Sequence, residues 1–197
     1  MHSQTTSIEP KVKTVINSKG DTLIEMKLSD ARLLLTDVLD KEIPIELYLK
    51  FIGYTISEGY LGQNYIDFVQ KIDSNCIKDI QNTVMSFADI FNCKVYEREI
   101  FTKDYKKAGF KKQPSNRWNA RINSKDLMNY FIDQVGDDGK ATSAFKQIPY
   151  WIKSLNKELL SILLETLVLG DGSHLYNKNS LAWKYYTISK QLADDVQ

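Results

Sequence analysis

Two apolar helical stretches, each closing in an acid followed by glycine, constrain this chain most. Phe51 to Tyr60 reads Phe-Ile-Gly-Tyr-Thr-Ile-Ser-Glu-Gly-Tyr, and Leu164 to Ser173 reads Leu-Glu-Thr-Leu-Val-Leu-Gly-Asp-Gly-Ser. From Pro44 onward the first stretch is apolar on much more than one face, through Ile45, Leu47, Tyr48, Phe51, Ile52, Tyr54 and Ile56. That is the pattern of a helix packed on both a sheet and a partner helix. A mid-helix glycine costs about 1 kcal/mol relative to alanine, and Gly53 makes sense where two helix backbones approach closely. Two such helices packed face to face hold Glu58 and Asp171 near one another, a carboxylate pair suited to a divalent cation. Either acid alone reads equally well as a solvent-exposed helix-end carboxylate.

At 197 residues the chain suffices for one sizeable core or two small ones. The hydrophobic share of 43% without a long apolar run predicts a soluble protein with no membrane partner. No stretch has the charged start, apolar middle and small-residue cleavage site of a signal peptide, so a cytoplasmic location is expected. Cys76 and Cys93 lack metal-ligand spacing, and His2 and His174 are the only histidines. Two reduced thiols are expected, and a zinc site or a His-based triad is not.

The net charge of +1 advertises no polyanionic partner, but the charge is segregated. From Lys103 to Lys125 lie Lys103, Lys106, Lys107, Lys111, Lys112, Arg117, Arg121 and Lys125, against Asp104 alone. Acids gather instead at 21–46 and 133–138.

In chain order, 1–20 reads as a tail or short hairpin. Ser29 to Leu39 reads as a helix capped by Ser29 or Asp30, with Leu33, Leu34, Leu35, Val38 and Leu39 on its face. The first motif helix runs from Pro44 to Glu58. A strand is expected over 64–72, a helix over 74–91 and a strand over 94–102. A basic loop follows over 103–115, then a strand over 116–122 and a helix capped by Ser124 to Val135. A short strand near Tyr60 completes an αββαββα order. Gly136 to Gln147 has the composition of a flexible surface connection. After Asp171, His174 to Tyr176 and Leu181 to Ile188 read as a hairpin, and Ser189 starts a helix.

The two acid–glycine stretches resemble the paired LAGLIDADG (dodecapeptide, DOD-type) motifs of homing endonucleases. Gly53 matches the first glycine, and Glu58 and Asp171 match the two catalytic acids. Thr166 and Leu169 depart from the pattern at the second motif's first glycine and inner acid. Lys146-Gln147-Ile148-Pro149-Tyr150-Trp151-Ile152 is similar to the segment before the second motif in intein-type members. The resemblance implies an α+β fold of αββαββα half-domains, here with the second copy incomplete. The implied boundaries are an extension with one helix at 1–43, a first half-domain at 44–136, a linker at 137–149 and a partial second half-domain at 150–197. Only 26 residues follow Asp171; either the sequence is part of a longer chain or the second half has been lost.

The same resemblance implies a site. Glu58 and Asp171 would be catalytic and hold Mg2+, with the carbonyls of Ser57 and Gly170 adding ligands. Lys125 would stabilise developing charge and Gln70 would position water. Lys71 and its second-half counterpart Lys190 would contact DNA. In the second copy Ser189 would stand in for the glutamine. A two-stranded ribbon fits the major groove, and Asn64, Asp67, Arg98, Asn116, Arg117, Asn119 and Arg121 are the expected base readers. Lys103, Lys106, Lys107, Lys111 and Lys112 would bind phosphates.

The expected function is a sequence-specific, Mg2+-dependent endonuclease that breaks double-stranded DNA and drives the mobility of an intein or intron. In full length it would be a monomer of two pseudo-symmetric halves. The alternative is a nucleic-acid-binding module of the same fold, maturase-like or decayed as a nuclease. The sequence shows no terminal splicing residues and no Thr-x-x-His block, so it is not expected to splice itself.

Overall fold

The computed structural model describes residues 15–16, 22–23, 32–35, 41–102, 105–107, 110–112, 115–136, 139–177 and 180–197. The N-terminal part carries two antiparallel strand pairs: β1 (Val15–Ile16) with β2 (Thr22–Leu23), and β3 (Arg32–Leu35) with β4 (Lys41–Pro44). The helix expected over 29–39 is therefore corrected, because Arg32–Leu35 is a strand. A run of consecutive leucines suits a buried strand as well as a helix, and Lys41–Pro44 supplies the pairing partner that decides between them.

From Ile45 the order is α1 (Ile45–Ser57), β5 (Gly59–Leu61), β6 (Tyr65–Lys71), α2 (Ile77–Ile90) and β7 (Val95–Thr102). A small hairpin, β8 (Tyr105–Lys107) and β9 (Phe110–Lys112), interrupts the expected basic loop. Then come β10 (Ser115–Asn123) and α3 (Lys125–Val135). With that hairpin set aside, this is an αββαββα unit whose antiparallel sheet runs β5-β6-β10-β7. The second unit has α4 (Tyr150–Lys153), α5 (Lys157–Asp171), β11 (Gly172–Asn177), β12 (Ser180–Tyr185) and α6 (Lys190–Val196), with β11 and β12 paired antiparallel. The fold is α+β. Among the described residues no helix is long and apolar enough to cross a membrane.

Alternation along the strands gives the four-stranded sheet two unlike faces. Ile66, Phe68, Trp118, Ala120 and Ile122 point inward and are buried against the helices. Phe51 of α1 stacks on Phe87 of α2 at 3.6 Å between ring centres and lies 5.1 Å from Phe131 of α3. The hydroxyls of Tyr48 and Tyr130 satisfy each other at 2.8 Å inside this core. The other face carries Asp67, Val69 and Lys71 from β6 opposite Arg121, Asn119 and Arg117 from β10.

Helices α1 and α5 pack where Gly53 meets Thr166. A Cβ on Gly53 would stand 2.8 Å from Thr166 Cγ2, too close to tolerate. Thr166 occupies the place where the motif pattern has glycine, so one missing side chain accommodates the one present. Its hydroxyl is satisfied within its own helix, donating to Ile162 O at 2.7 Å.

The stretch Gly136 to Gln147, expected from composition to be a flexible surface connection, divides: 142–145 is exposed, whereas its end is packed against the fold. Lys146 is only 4% exposed and Ile148 is buried. Gln147 N donates to Val135 O, Ile148 N donates to Asp195 Oδ2, and Ser189 Oγ donates to Lys146 O. These bonds fasten the strap to both α3 and α6. Small polar residues hid this, because the anchoring groups are backbone atoms and one lysine.

Candidate functional site

Each acid stands where a helix hands over to a strand. Glu58 caps α1, its amide donating to Tyr54 O at 2.8 Å, and Asp171 is the last residue of α5. The glycine after each acid lets the strand leave across the last helical turn. A Cβ on Gly59 would lie 2.6 Å from Thr55 O, and one on Gly172 would lie 2.6 Å from Val168 O. Acid–glycine is thus the sequence of a helix end that turns directly into a strand.

The two helix ends meet. A Cβ on Gly170 would fall 2.6 Å from Ser57 Cβ and 3.4 Å from Glu58 Oε1. Gln70 Nε2 donates to Glu58 Oε1 at 2.8 Å and reaches Cys76 Sγ at 3.5 Å. Burial pushes the Glu58 carboxyl up to about 7; the charge of Asp171 adds to the shift, while Gln70, Lys146 and Arg117 oppose it. The Asp171 carboxyl is raised as well, by burial against the opposing charge of Lys146. A half-buried carboxylate, Glu58, and a more exposed one, Asp171, that resist joint ionisation form a place where added positive charge is favourable. Among the described residues no cluster of three or more His, Cys, Asp or Glu side chains forms.

Lys146 is the feature the sequence did not single out. Its ammonium donates to Thr55 O at 2.9 Å, Ile56 O at 2.7 Å and Gly59 O at 2.7 Å. It satisfies two orphan carbonyls at the end of α1 and the first carbonyl of β5, on either side of Glu58. Burial lowers its pKa to about 8, against the pull of Asp171 and Glu58. The signal available in sequence was a lone lysine two residues before Ile148-Pro149. Beside it a cavity of about 560 Å³ opens between Ser57, Asp171, Tyr185, Thr187 and Leu192.

The remaining expected residues divide. Gln70, Ser57 and Gly170 gather around the acids. Lys71, Arg98, Arg117 and Arg121 share the outer sheet face, Arg98 lying opposite Asn119. Lys106, Lys107, Lys111 and Lys112 lie on the β8–β9 hairpin. Lys103 lies outside the described residues.

Lys125 is not brought to Glu58. Trp118 opposes Gln70, whereas Asn123 opposes Tyr65, so about 17 Å of strand separates the Glu58 end from the start of α3. Antiparallel pairing sends the residue after β10 to the far end of β6. Lys190 lies exposed on α6, and Ser189 is that helix's N-cap, accepting from Leu192 N at 3.1 Å. Ser189 is therefore not the counterpart of Gln70. Gly172 opposes Tyr185 as Gly59 opposes Phe68, which puts Thr187 at the corresponding position.

No family model and no curated protein matches the chain. Solved structures resemble it in part. Mesophilic variants of the homing endonuclease I-DmoI align over 77% of this chain and 73% of theirs, at 16% identity and a TM-score of 0.45. I-DmoI in complex with DNA and Mn aligns over 77% and 74%, at 16% identity and a TM-score of 0.44.

Proposed function

We propose that the chain is a LAGLIDADG homing-endonuclease domain of the intein-type, DOD class, which makes Mg2+-dependent double-strand breaks in a specific DNA site and so drives the mobility of an intein or intron. The observation that carries this reading is the convergence of Glu58 and Asp171 at the paired ends of α1 and α5, beside a basic sheet face. The donor chemistry fits a hard divalent cation: carboxylate oxygens of Glu58 and Asp171, supplemented by the carbonyls of Ser57 and Gly170. Bound there, Mg2+ supplies a more acidic water and charge stabilisation at a scissile phosphate.

The chain's own residues do the rest. Gln70 fixes one oxygen of Glu58. Lys146 fixes the backbone on either side of that acid. Lys71, Arg98, Arg117 and Arg121 face the duplex, and the lysines of the β8–β9 hairpin, with Lys103 before it and Lys190 on α6, take phosphates. The 1–43, 44–136, 137–149 and 150–197 division, and the two-half monomer in full length, belong to the same proposal. The distance of Lys125 from Glu58 favours the second reading, a binding module that keeps the acids without the cleavage lysine.

Cleavage of a target library in Mg2+ by wild type and Glu58→Gln, run side by side with binding measurements, separates the two. Loss of cleavage with binding kept supports the nuclease. Equal cleavage removes Glu58 from the mechanism, and binding without cleavage by wild type selects the binding module.

A further inference from the structure

We propose that Arg121 is a specificity-determining residue that takes the O6/N7 edge of one guanine in the major groove, its guanidinium held in place beforehand by Asp67 and Tyr65. The inference rests on the DNA-binding reading above. Arg121 Nε donates to Asp67 Oδ1 at 2.7 Å, and Nη2 donates to Oδ2 at 2.6 Å. The guanidinium carbon also lies 3.7 Å from the centre of the Tyr65 ring. Two hydrogen bonds and one stacked face fix both the direction and the plane of the group.

Donor accounting shows what is left over. A guanidinium has five N–H donors, and the side-on fork to Asp67 uses two of them. The end-on fork, one N–H from each Nη, points away from Asp67. Its spacing matches the paired acceptors of guanine, and no other base pair edge presents two acceptors in that arrangement. The Asp67 side chain is 12% exposed, whereas that of Arg121 is 35% exposed, so the anchor is in the sheet and the free end faces outward.

Neighbouring arginines lack this arrangement. Arg98 is tied at Nε to Asn119 alone, and Arg117 Nε is buried with no partner among the described residues. Arg121 also stands on an inner strand of the sheet, between β6 and β7, where a groove-filling ribbon is central.

The test is selection of bound duplexes from a pool with a randomised core, by wild type, Arg121→Met, Arg121→Gln and Asp67→Asn, with thermal melting of each. Wild type should enrich sites containing a guanine column that both Arg121 variants lose. Its preference over other bases should fall about ten- to a hundredfold while the other columns persist. Asp67→Asn should blur that column, because the neutral amide no longer holds the fork. Arg121→Gln keeps a polar side chain but not the paired donors that guanine takes, so it still decides the matter if Arg121→Met fails to fold. Retention of every column by Arg121→Gln overturns the assignment while leaving sequence-specific binding intact. A wild type that enriches no sequence overturns the DNA reading itself, and this inference with it.

Discussion

In the first half, α1 leads into a four-stranded sheet covered by α2 and α3; in the second, α5 leads into two strands and α6. Both begin identically, with a helix, an acid, a glycine and a hairpin. The first half encloses its core, leaving Tyr48, Phe51, Phe68 and Phe131 buried. The second leaves Tyr186 at 62% and Ile188 at 76% exposed beside the cavity next to Asp171. The difference separates two requirements. Placing a carboxylate needs only the helix end and its glycine, because the partner helix fixes the position. Holding that carboxylate needs more: Lys146 acts on both acids, but Glu58 also accepts from Gln70, and the position matching Gln70 in the second half is Thr187.

That asymmetry gives ordered expectations. The largest effect is on chemistry. Glu58→Gln and Asp171→Asn should each cut cleavage by on the order of 10²- to 10³-fold or more, with binding nearly kept. Each should arrest a different strand, so nicked duplex accumulates in gel assays of both. Identical products from the two variants would break the one-acid-per-strand comparison.

Next comes affinity. Neutralising Lys106, Lys107, Lys111 and Lys112 together should flatten the log–log salt dependence of binding by up to about 3.5, at roughly 0.9 per phosphate contact. An unchanged slope would move the phosphate contacts from the β8–β9 hairpin to the sheet face or to the second half.

Packing of the halves is the third test. Gly53→Ala should cost about 1–3 kcal/mol in chemical denaturation, since its Cβ meets Thr166. Adding Thr166→Gly should restore part of that loss, and strict additivity of the two would show that the helices do not meet there.

A smaller effect lies in pH. The folded Glu58 titrates near 7, above its ordinary 4.5. Between those values the folded chain holds a proton the unfolded chain has released, so this group's contribution lowers stability as pH rises from about 4.5 to 7 and is level above. Melting in chelator should show that decline in wild type and a shallower one in Glu58→Gln. Parallel curves would mean that Glu58 is not strained in the fold.

The smallest effect is expected for Lys125→Ala, within a few-fold of wild type in cleavage, because strand pairing puts that residue at the wrong end of β6. A loss comparable to Glu58→Gln would require a different path of α3 relative to the centre.

The centre was legible in sequence where local chemistry decides. An acid followed by glycine at the end of an apolar helix already states that a strand departs there, and Gly53 already states a close approach. Ser124 at the head of α3 was readable as a cap, and its hydroxyl accepts from Leu127 N at 3.2 Å. What sequence concealed depends on pairing across distance. Leu33 to Leu35 takes its form from Lys41–Pro44. Lys125 follows the right strand, but antiparallel register carries it away. Lys146 lies in a stretch whose composition reads as linker, and only the fold brings its ammonium beneath the end of α1. Ser189 looked like a glutamine substitute by counting, whereas the register of β11 with β12 passes that position to Thr187.

The proposed function requires two acids from different halves to act at one centre. Electron paramagnetic resonance of Mn2+ titrated into wild type, Glu58→Gln, Asp171→Asn and the double variant measures this without any DNA target. Shared acids predict that each single variant weakens binding about tenfold or more and that the double variant is little worse than either, as expected for coupled neighbours. Binding that is unchanged in the single variants, or losses that simply add in the double variant, would contradict a common centre.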